Sequence, residues 1–385
     1  MCSAYRTVAF LAGLAALTSL VLYLVSDHVF NLYNVTCFGA FSRHSSLGSV
    51  RSKPFVEMQA ALGVAYVFDH SSLVYEVTTP FQHIEVYQHY GVGNILVIDG
   101  SLQITTRDEA YYHEMMVHVP MAYLPNAKRV LIVGGGDGGA LSRVAAYGHV
   151  TEMHLVDIDM YSVRDVSLRY FPQLYSAFLD PRTRAHASDG HGWIRDRLLG
   201  ASASDPFDLV IVDSTDYGSA ETLFTEEFYA DVKRLMHPRS IAIVNLDSPS
   251  WNLDIVSTVQ RQLAGYFKYA FVYHAHQPTF LGGHYSYLFC SDAIHPMATL
   301  VDWGAWSKQR LTTYYYSPDL HHGAFALPAA VQRQVSMSAQ LKDVPVGGFP
   351  SNRIPHDFWP DAPVEARRLS PLAPDALQED DPAEL

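Results

Sequence analysis

The chain has 385 residues, 49% of them hydrophobic, and carries 39 Asp and Glu against 26 Lys and Arg for a formal net charge of −13. That length and apolar fraction give one large domain or two modest ones with a buried core, so most of the chain is globular. An acidic balance without a Lys/Arg cluster argues against a nucleic-acid partner and is compatible with a cationic substrate. Cys2, Cys37 and Cys290 lie far apart and the 19 histidines include no HExxH pair, so neither a disulfide framework nor a metal site is suggested.

Residues 7 to 26, TVAFLAGLAALTSLVLYLVS, form an uncharged run of 20 residues. At about 1.5 Å per residue it spans roughly 30 Å, which predicts a single-pass membrane anchor within residues 1–27, with a cleaved signal peptide as its rival. Residues 28–68 show no clear periodicity and read as a connector. Between SSLVYEVTTPFQHIEVYQHY and GNILVIDGSLQITTRDE, apolar and polar residues alternate in short segments punctuated by Gly and Pro. That predicts a small antiparallel β-domain over 69–128, closed by helical spacing in YYHEMMVHVPMAYL. From 129 to 330 strands such as RVLIVGGG, TEMHLVDID, FDLVIVDS and IAIVNLD alternate with helical stretches, which predicts an α/β fold with a parallel, doubly wound sheet. Residues 331–385 lose the pattern and end in an acidic tail, APDALQEDDPAEL, which has the composition of disorder.

The stretch VLIVGGGDGGALSRV reads as strand, glycine turn and helix, and Gly134, Gly136 and Gly139 satisfy G-x-G-x-x-G. Asp137 inside that turn is unfavourable for a dinucleotide, whose pyrophosphate seeks the positive helix end, and favourable for a cationic cofactor. Other acids stand at strand ends, where ligands of such sheets bind. Asp157 suits a ribose hydroxyl or a helix cap, and Asp189 suits an adenine amino group or a cap. Asp213 and Asp216, three apart in VDSTD after an apolar run, repel one another unless a positive group such as an amine lies between them. The segment DEAYYHEM gathers Asp108, Glu109, Tyr112, His113 and Glu114, which could handle protons or simply pack as core.

Taken in order, PFQHIEVYQHYGVGNILVIDGSLQITTRDEAYYHEM, RVLIVGGGDGG, SDG, DLVIVDSTD and YYYSPDLHHGAFALP resemble the spermidine/spermine synthase family of aminopropyltransferases. The resemblance covers roughly residues 69 to 330. It implies a small N-terminal β-domain before a Rossmann-like, methyltransferase-type domain, decarboxylated S-adenosylmethionine as co-substrate and no separate cofactor. It assigns the donor to Gln82, Gly134, Gly136, Asp137, Asp157, Asp189 and Gly190, with Asp137 on the aminopropyl amine. Asp213 resembles the family's base, assisted by Tyr112, while His113 and Asp216 fall among the substrate-binding residues.

The chain also departs from the family pattern around the acceptor. DSTDYGSA is one residue shorter than usual and lacks two prolines, so Ser219 and Ala220 only roughly replace an adenine-contacting pair. FLGG stands where a YPSG motif is usual, leaving Phe280 without a hydroxyl, and NLDSPSW carries the shorter Asn245 and Asp247. The expected activity is aminopropyl transfer, by default from putrescine to spermidine. Spermine or thermospermine synthesis, polyamine N-methylation with intact S-adenosylmethionine, and an inactive tethered polyamine binder are the alternatives. The resemblance further implies a homodimer, and the expected catalytic domain is cytosolic.

Overall fold

The computed structural model describes residues 54–59, 63–200, 205–215 and 221–340, all within one unit that begins at Lys53. The anchor proposed at 7–26, Asp216, Ser219, Ala220 and the tail beyond 340 lie outside the described residues, whereas the first ten residues of the expected tail, 331–340, continue a helix, Ala329–Gln340. Among the described residues no helix is long and apolar enough to cross a membrane.

The described residues open with an antiparallel hairpin, β1 (Phe55–Gln59) and β2 (Val64–Phe68). These residues were expected to be connector. Their alternation is inverted: Phe55 and Glu57 are buried, whereas Val56, Met58 and Val67 are 41%, 62% and 53% exposed. A strand that hides a carboxylate and shows apolar side chains does not read as half-buried β.

A meander follows: β3 (Ser72–Thr78), β4 (His83–His89), β5 (Gly93–Ile98) and β6 (Ser101–Thr105), paired antiparallel in that order. Its two faces bury different partners. Ile84, Val86, Leu96 and Ile104 pack on Val163, Phe171 and Leu174, while Tyr87, Ile95 and Val97 pack on Phe55 and Phe68 of the hairpin. Each fully buried aliphatic side chain contributes roughly 1.5–3 kcal/mol, so the meander is anchored to the main domain and to the hairpin at once.

Helix Glu109–Tyr123 then lies under the main sheet and is buried nearly all round. Two acids of DEAYYHEM lock it there. Asp108 accepts from Thr105 Oγ1 at 2.7 Å and from the backbone N–H and Oγ1 of Thr279 at 2.9 Å each. Glu114 accepts the backbone N–H groups of Tyr314, Tyr315 and Tyr316, each at 2.8 Å. Buried carboxylates satisfied by several N–H donors hold distant segments together.

The main sheet has seven strands, in the order β12-β13-β11-β10-β7-β8-β9. They are β7 (Arg129–Gly134), β8 (Glu152–Asp157), β9 (Thr183–Ala187), β10 (Phe207–Asp213), β11 (Met236–Asn245), β12 (Tyr269–His276) and β13 (His284–Ser291). The first five in sequence are parallel; β13 and β12 extend the sheet antiparallel beyond β11. Apolar clusters cover both faces, as the near-continuous Val, Ile and Leu runs of the parallel strands require. The chain runs outward from β7 to β9 on one side and from β10 to β11 on the other, so β7 and β10 flank the switch point, where open α/β sheets bind ligands.

Candidate active site

A cavity of about 730 Å³ opens over the carboxyl ends of β7, β8 and β10 and reaches under the hairpin and meander. Seven carboxyl side chains line it, and among its described lining residues there is no lysine or arginine. So dense a negative lining selects a cation.

The glycine turn forms its floor. Gly134 and Gly135 have φ of +80° and +65°, and a Cβ on Gly134 would fall 2.1 Å from the carbonyl oxygen of Asp213. In the β7–β10 register Gly134 pairs with Asp213, whose carbonyl accepts from the Gly135 N–H at 2.8 Å. Glycine here is what allows the two strand ends to close on one another.

The donor-side carboxylates predicted from sequence all line this cavity, and each is held by backbone. Asp137 Oδ1 accepts from the Gly139 N–H at 2.6 Å. Asp157 Oδ2 accepts from Gly136 N–H at 3.0 Å and its Oδ1 from Asp159 N–H at 2.8 Å. Asp189 caps helix Gly190–Leu199 by accepting from Gly192 N–H at 2.6 Å, and Gly190 packs so closely on Val133 that a Cβ would sit 2.5 Å from it. Gln82 reaches the same region from the meander and donates to Asp159 Oδ2 at 3.0 Å.

Asp213 stands at the centre. It is buried, Tyr112 O–H donates to its Oδ1 at 2.7 Å, and its Oδ2 has no hydrogen-bond partner. Burial raises its carboxyl to about 6, with the charge of Asp137 adding to the shift and His113 and the Tyr112 bond opposing it. Burial and the neighbouring Asp213 charge push the Tyr112 phenol well above its ordinary value, so Tyr112 remains a hydrogen-bond donor.

His113 is fully buried and lies behind Asp137 rather than on the cavity wall, with Nε2 3.6 Å from Asp137 Oδ1. Its Nδ1 donates to Glu109 Oε2 at 2.9 Å, and Arg143 Nη2 lies 2.8 Å from both oxygens of Glu109. The ring rests against Gly139, where a Cβ would be 2.0 Å from it.

The other end of the cavity is built differently. Asn245 accepts from Ser214 N–H at 3.3 Å and donates to the Ser214 carbonyl at 2.7 Å, so it braces the loop after β10. Asp247 accepts from the Ser248 N–H and from Asn252 Nδ2. Phe280 contacts the rings of Tyr112 and Tyr285. Sequence reasoning missed Glu57, which lines this end and accepts from Leu102 N–H at 3.2 Å. The buried glutamate in an otherwise apolar strand was the available signal. A group of ligand-type residues, Glu76, His83 and Glu85, gathers on the meander, but none of them lines the cavity.

Known proteins resemble this arrangement. A family model described as the spermine/spermidine synthase domain matches residues 109–300, and one described as the spermidine synthase tetramerisation domain matches residues 55–106. A polyamine aminopropyltransferase of Clostridium beijerinckii is 38% identical over 257 residues, covering 66% of this chain and 88% of that protein. One of Alkaliphilus metalliredigens is 36% identical over 258 residues, with 66% and 88% covered. The crystal structure of a spermidine synthase in complex with the transition-state analogue AdoDATO superposes with a TM-score of 0.70 at 27% identity, covering 77% of this chain and 99% of that one. Spermidine synthase from Thermotoga maritima superposes with a TM-score of 0.68 at 28% identity, covering 77% and 100%.

Proposed function

The chain belongs to the spermidine and spermine synthase family, and from that membership we propose that it transfers the aminopropyl group of decarboxylated S-adenosylmethionine to a polyamine, by default putrescine to give spermidine. The carrying observation is a cavity whose charged lining residues are all acidic among those described, with Asp137 in its glycine turn. The donor is a sulfonium and an ammonium with no phosphate, so a carboxylate that would repel a dinucleotide attracts this ligand. Intact S-adenosylmethionine would bring its own carboxylate to Asp137, which disfavours methyl transfer.

In this reading Asp137 takes the aminopropyl ammonium, Asp157 the ribose, Asp189 and Gly190 the adenine side, and Gln82 the nucleoside. An acceptor amine attacks the carbon beside sulfur in line, and methylthioadenosine leaves with the C–S electron pair. The attacking nitrogen must first lose a proton, and Asp213 Oδ2, without a partner in the cavity, is positioned to receive it while Tyr112 holds the other oxygen. Because an aspartate is a weak base for an amine, much of its effect is orientation and stabilisation of positive charge that develops on nitrogen. Asp216 completes the substrate-binding set in this proposal, whereas His113, expected from sequence to belong to it, is fully buried behind Asp137 and can act only through that carboxylate.

The exposed apolar face of the hairpin, within residues 55–106, is the surface we assign to self-association as a homodimer or a larger assembly. Residues 7–26 retain their reading as an anchor with the catalytic unit on the cytosolic side. Mass spectrometry of products formed by the full-length protein from decarboxylated S-adenosylmethionine and a panel of diamines and triamines tests the activity. A product one aminopropyl unit longer, formed with methylthioadenosine and lost in Asp213→Asn, supports the reading. Donor binding without any product across the panel points to a tethered binder instead.

A further inference from the structure

We propose that His113, held by Glu109 and Arg143, is the positive counter-charge of the empty site, and that the donor's ammonium exchanges for its proton on reaching Asp137. The inference deepens the transfer reading and rests on it.

The geometry fixes which nitrogen carries which hydrogen. A carboxylate only accepts, so His113 Nδ1, 2.9 Å from Glu109 Oε2, carries one proton in every state. Burial pushes the Glu109 carboxyl up, but the hydrogen bond from His113 and the charge and bonds of Arg143 outweigh it and hold it below its ordinary range. Nε2 is the remaining variable. It is buried without a hydrogen-bond partner and faces Asp137 Oδ1 at 3.6 Å. With a lone pair it would set one acceptor against another; with a proton it becomes a donor toward a carboxylate.

Every element packed around the ring contributes to this balance. Its own helix supplies Glu109 and the neutral Tyr112 edge, the glycine turn and following helix supply Asp137 and Arg143, and β10 supplies Asp213. Three carboxyl groups against one guanidinium favour the imidazolium. Burial opposes it, yet Asp137, Glu109 and Asp213 together raise the histidine above its ordinary value. His118 on the same helix shows what burial does without such partners: bonded only to the Tyr147 hydroxyl and exposed to the Arg143 charge, it is driven down to about 3.

When an ammonium settles on Asp137, a second cation behind that carboxylate is repelled. The proton leaves Nε2 for bulk solvent by way of Asp137, His113 becomes neutral, and the net charge of the site rises by less than the charge of the donor. Glu109 and Arg143 are therefore positioning residues that act through His113.

Calorimetric titration of the full-length protein with decarboxylated S-adenosylmethionine, in buffers of different ionisation enthalpy between pH 6 and 8.5, reads the exchange directly. The expected result is net proton release of about half a proton or more at its maximum, with none for the neutral product methylthioadenosine. His113→Gln should bind donor with the release above about pH 7.5 abolished, keeping only the release near pH 6 that Asp213 contributes as a bound cation favours its carboxylate. Glu109→Gln should move the release to lower pH, and Arg143→Lys should stay nearer the unmodified protein than Arg143→Met. Donor binding with no release at any pH, or release that persists unchanged in His113→Gln, overturns the exchange. Failure of the donor to bind the unmodified protein would instead bring down the transfer reading, and the exchange with it.

Discussion

The two ends of the cavity draw their walls from the chain differently: the proposed donor end from neighbouring strand ends and the turns that follow them, the proposed acceptor end from segments far apart in sequence. Asp137, Asp157 and Asp189 each accept a main-chain N–H at 2.6 to 3.0 Å, and the turn beneath them runs through left-handed glycines. At the acceptor end the walls come from separate segments, among them Glu57 on β1, Asn245 at the end of β11, Asp247 just after it, and Phe280 before β13. Groups fixed around one turn cannot be replaced singly without disturbing their neighbours, whereas groups contributed by separate segments can change one at a time. On the proposed assignment, the acids expected to face the donor stand in the first kind of wall, and Asn245, Asp247 and Phe280, where the sequence departs from the family motifs, stand in the second.

The largest effect is expected where the two ends meet. Asp213→Asn should lower kcat by about 10³-fold or more, since it removes both the proton acceptor and the charge that balances a developing ammonium. Stability should move the other way. An unfolded aspartate titrates near 3.8 and the folded one near 6, so stability is lost as pH rises through that window and stays lost above it. Asparagine carries no such cost, and at pH 7 to 8 the variant should gain on the order of 1–3 kcal/mol, read as a higher Tm in thermal unfolding. An inactive variant with a lowered Tm would mean that Asp213 is structural.

Asp137→Asn bears chiefly on the donor end, although losing its charge also lowers the Asp213 carboxyl. It should raise the donor KM by about 10- to 100-fold, the scale of one charge-assisted contact, while the acceptor KM stays within about twofold. Equal effects on both substrates would erase the distinction between the two ends.

Tyr112→Phe is expected to cost about 10- to 50-fold in kcat. Its more specific signature is in pH. The phenol's hydrogen bond lowers the Asp213 carboxyl, so its loss should move the acid limb of kcat/KM, expected near pH 6, to higher pH. In the unmodified protein the kcat limb should lie below the kcat/KM limb, because a bound cationic donor favours the carboxylate.

The same contrast governs what the sequence made legible. Strand-end acids and a glycine turn are local patterns, so Asp137, Asp157, Asp189 and Asp213 could be placed before any tertiary contact was known. For Asp189 the two readings, ligand contact and helix cap, are compatible, because the bond from Gly192 N–H leaves the carboxylate on the cavity wall; for Asp157 the cap reading fails, since Asp159 occupies the N-cap of helix Met160–Tyr170 and Asp157 instead accepts from Gly136 and Asp159 N–H. DEAYYHEM could not be divided from sequence because its division is tertiary. Asp108 and Glu114 hold segments more than 160 residues away, whereas Glu109 is joined to Arg143, 34 residues on. Glu57 lies in a strand that buries a carboxylate beside Phe55 while exposing Val56 and Met58, so the alternation that identifies a half-buried strand is missing and the glutamate alone does not mark a site.

The smallest and most discriminating change is Phe280→Tyr. The ring lies 6.0 Å from Tyr112 and 5.1 Å from Tyr285, centroid to centroid, on the acceptor wall. Adding a hydroxyl there supplies one neutral donor and acceptor without new bulk in the ring itself, worth about 0.5–1 kcal/mol where it meets an amine. The acceptor KM for a diamine should therefore fall about two- to fivefold, with the donor KM and the pH limbs unchanged. A fall confined to a triamine would show that the missing hydroxyl had been exchanged for room along a longer acceptor. A change in donor KM would show that the two ends are mechanically coupled through Tyr112, which touches both Phe280 and Asp213.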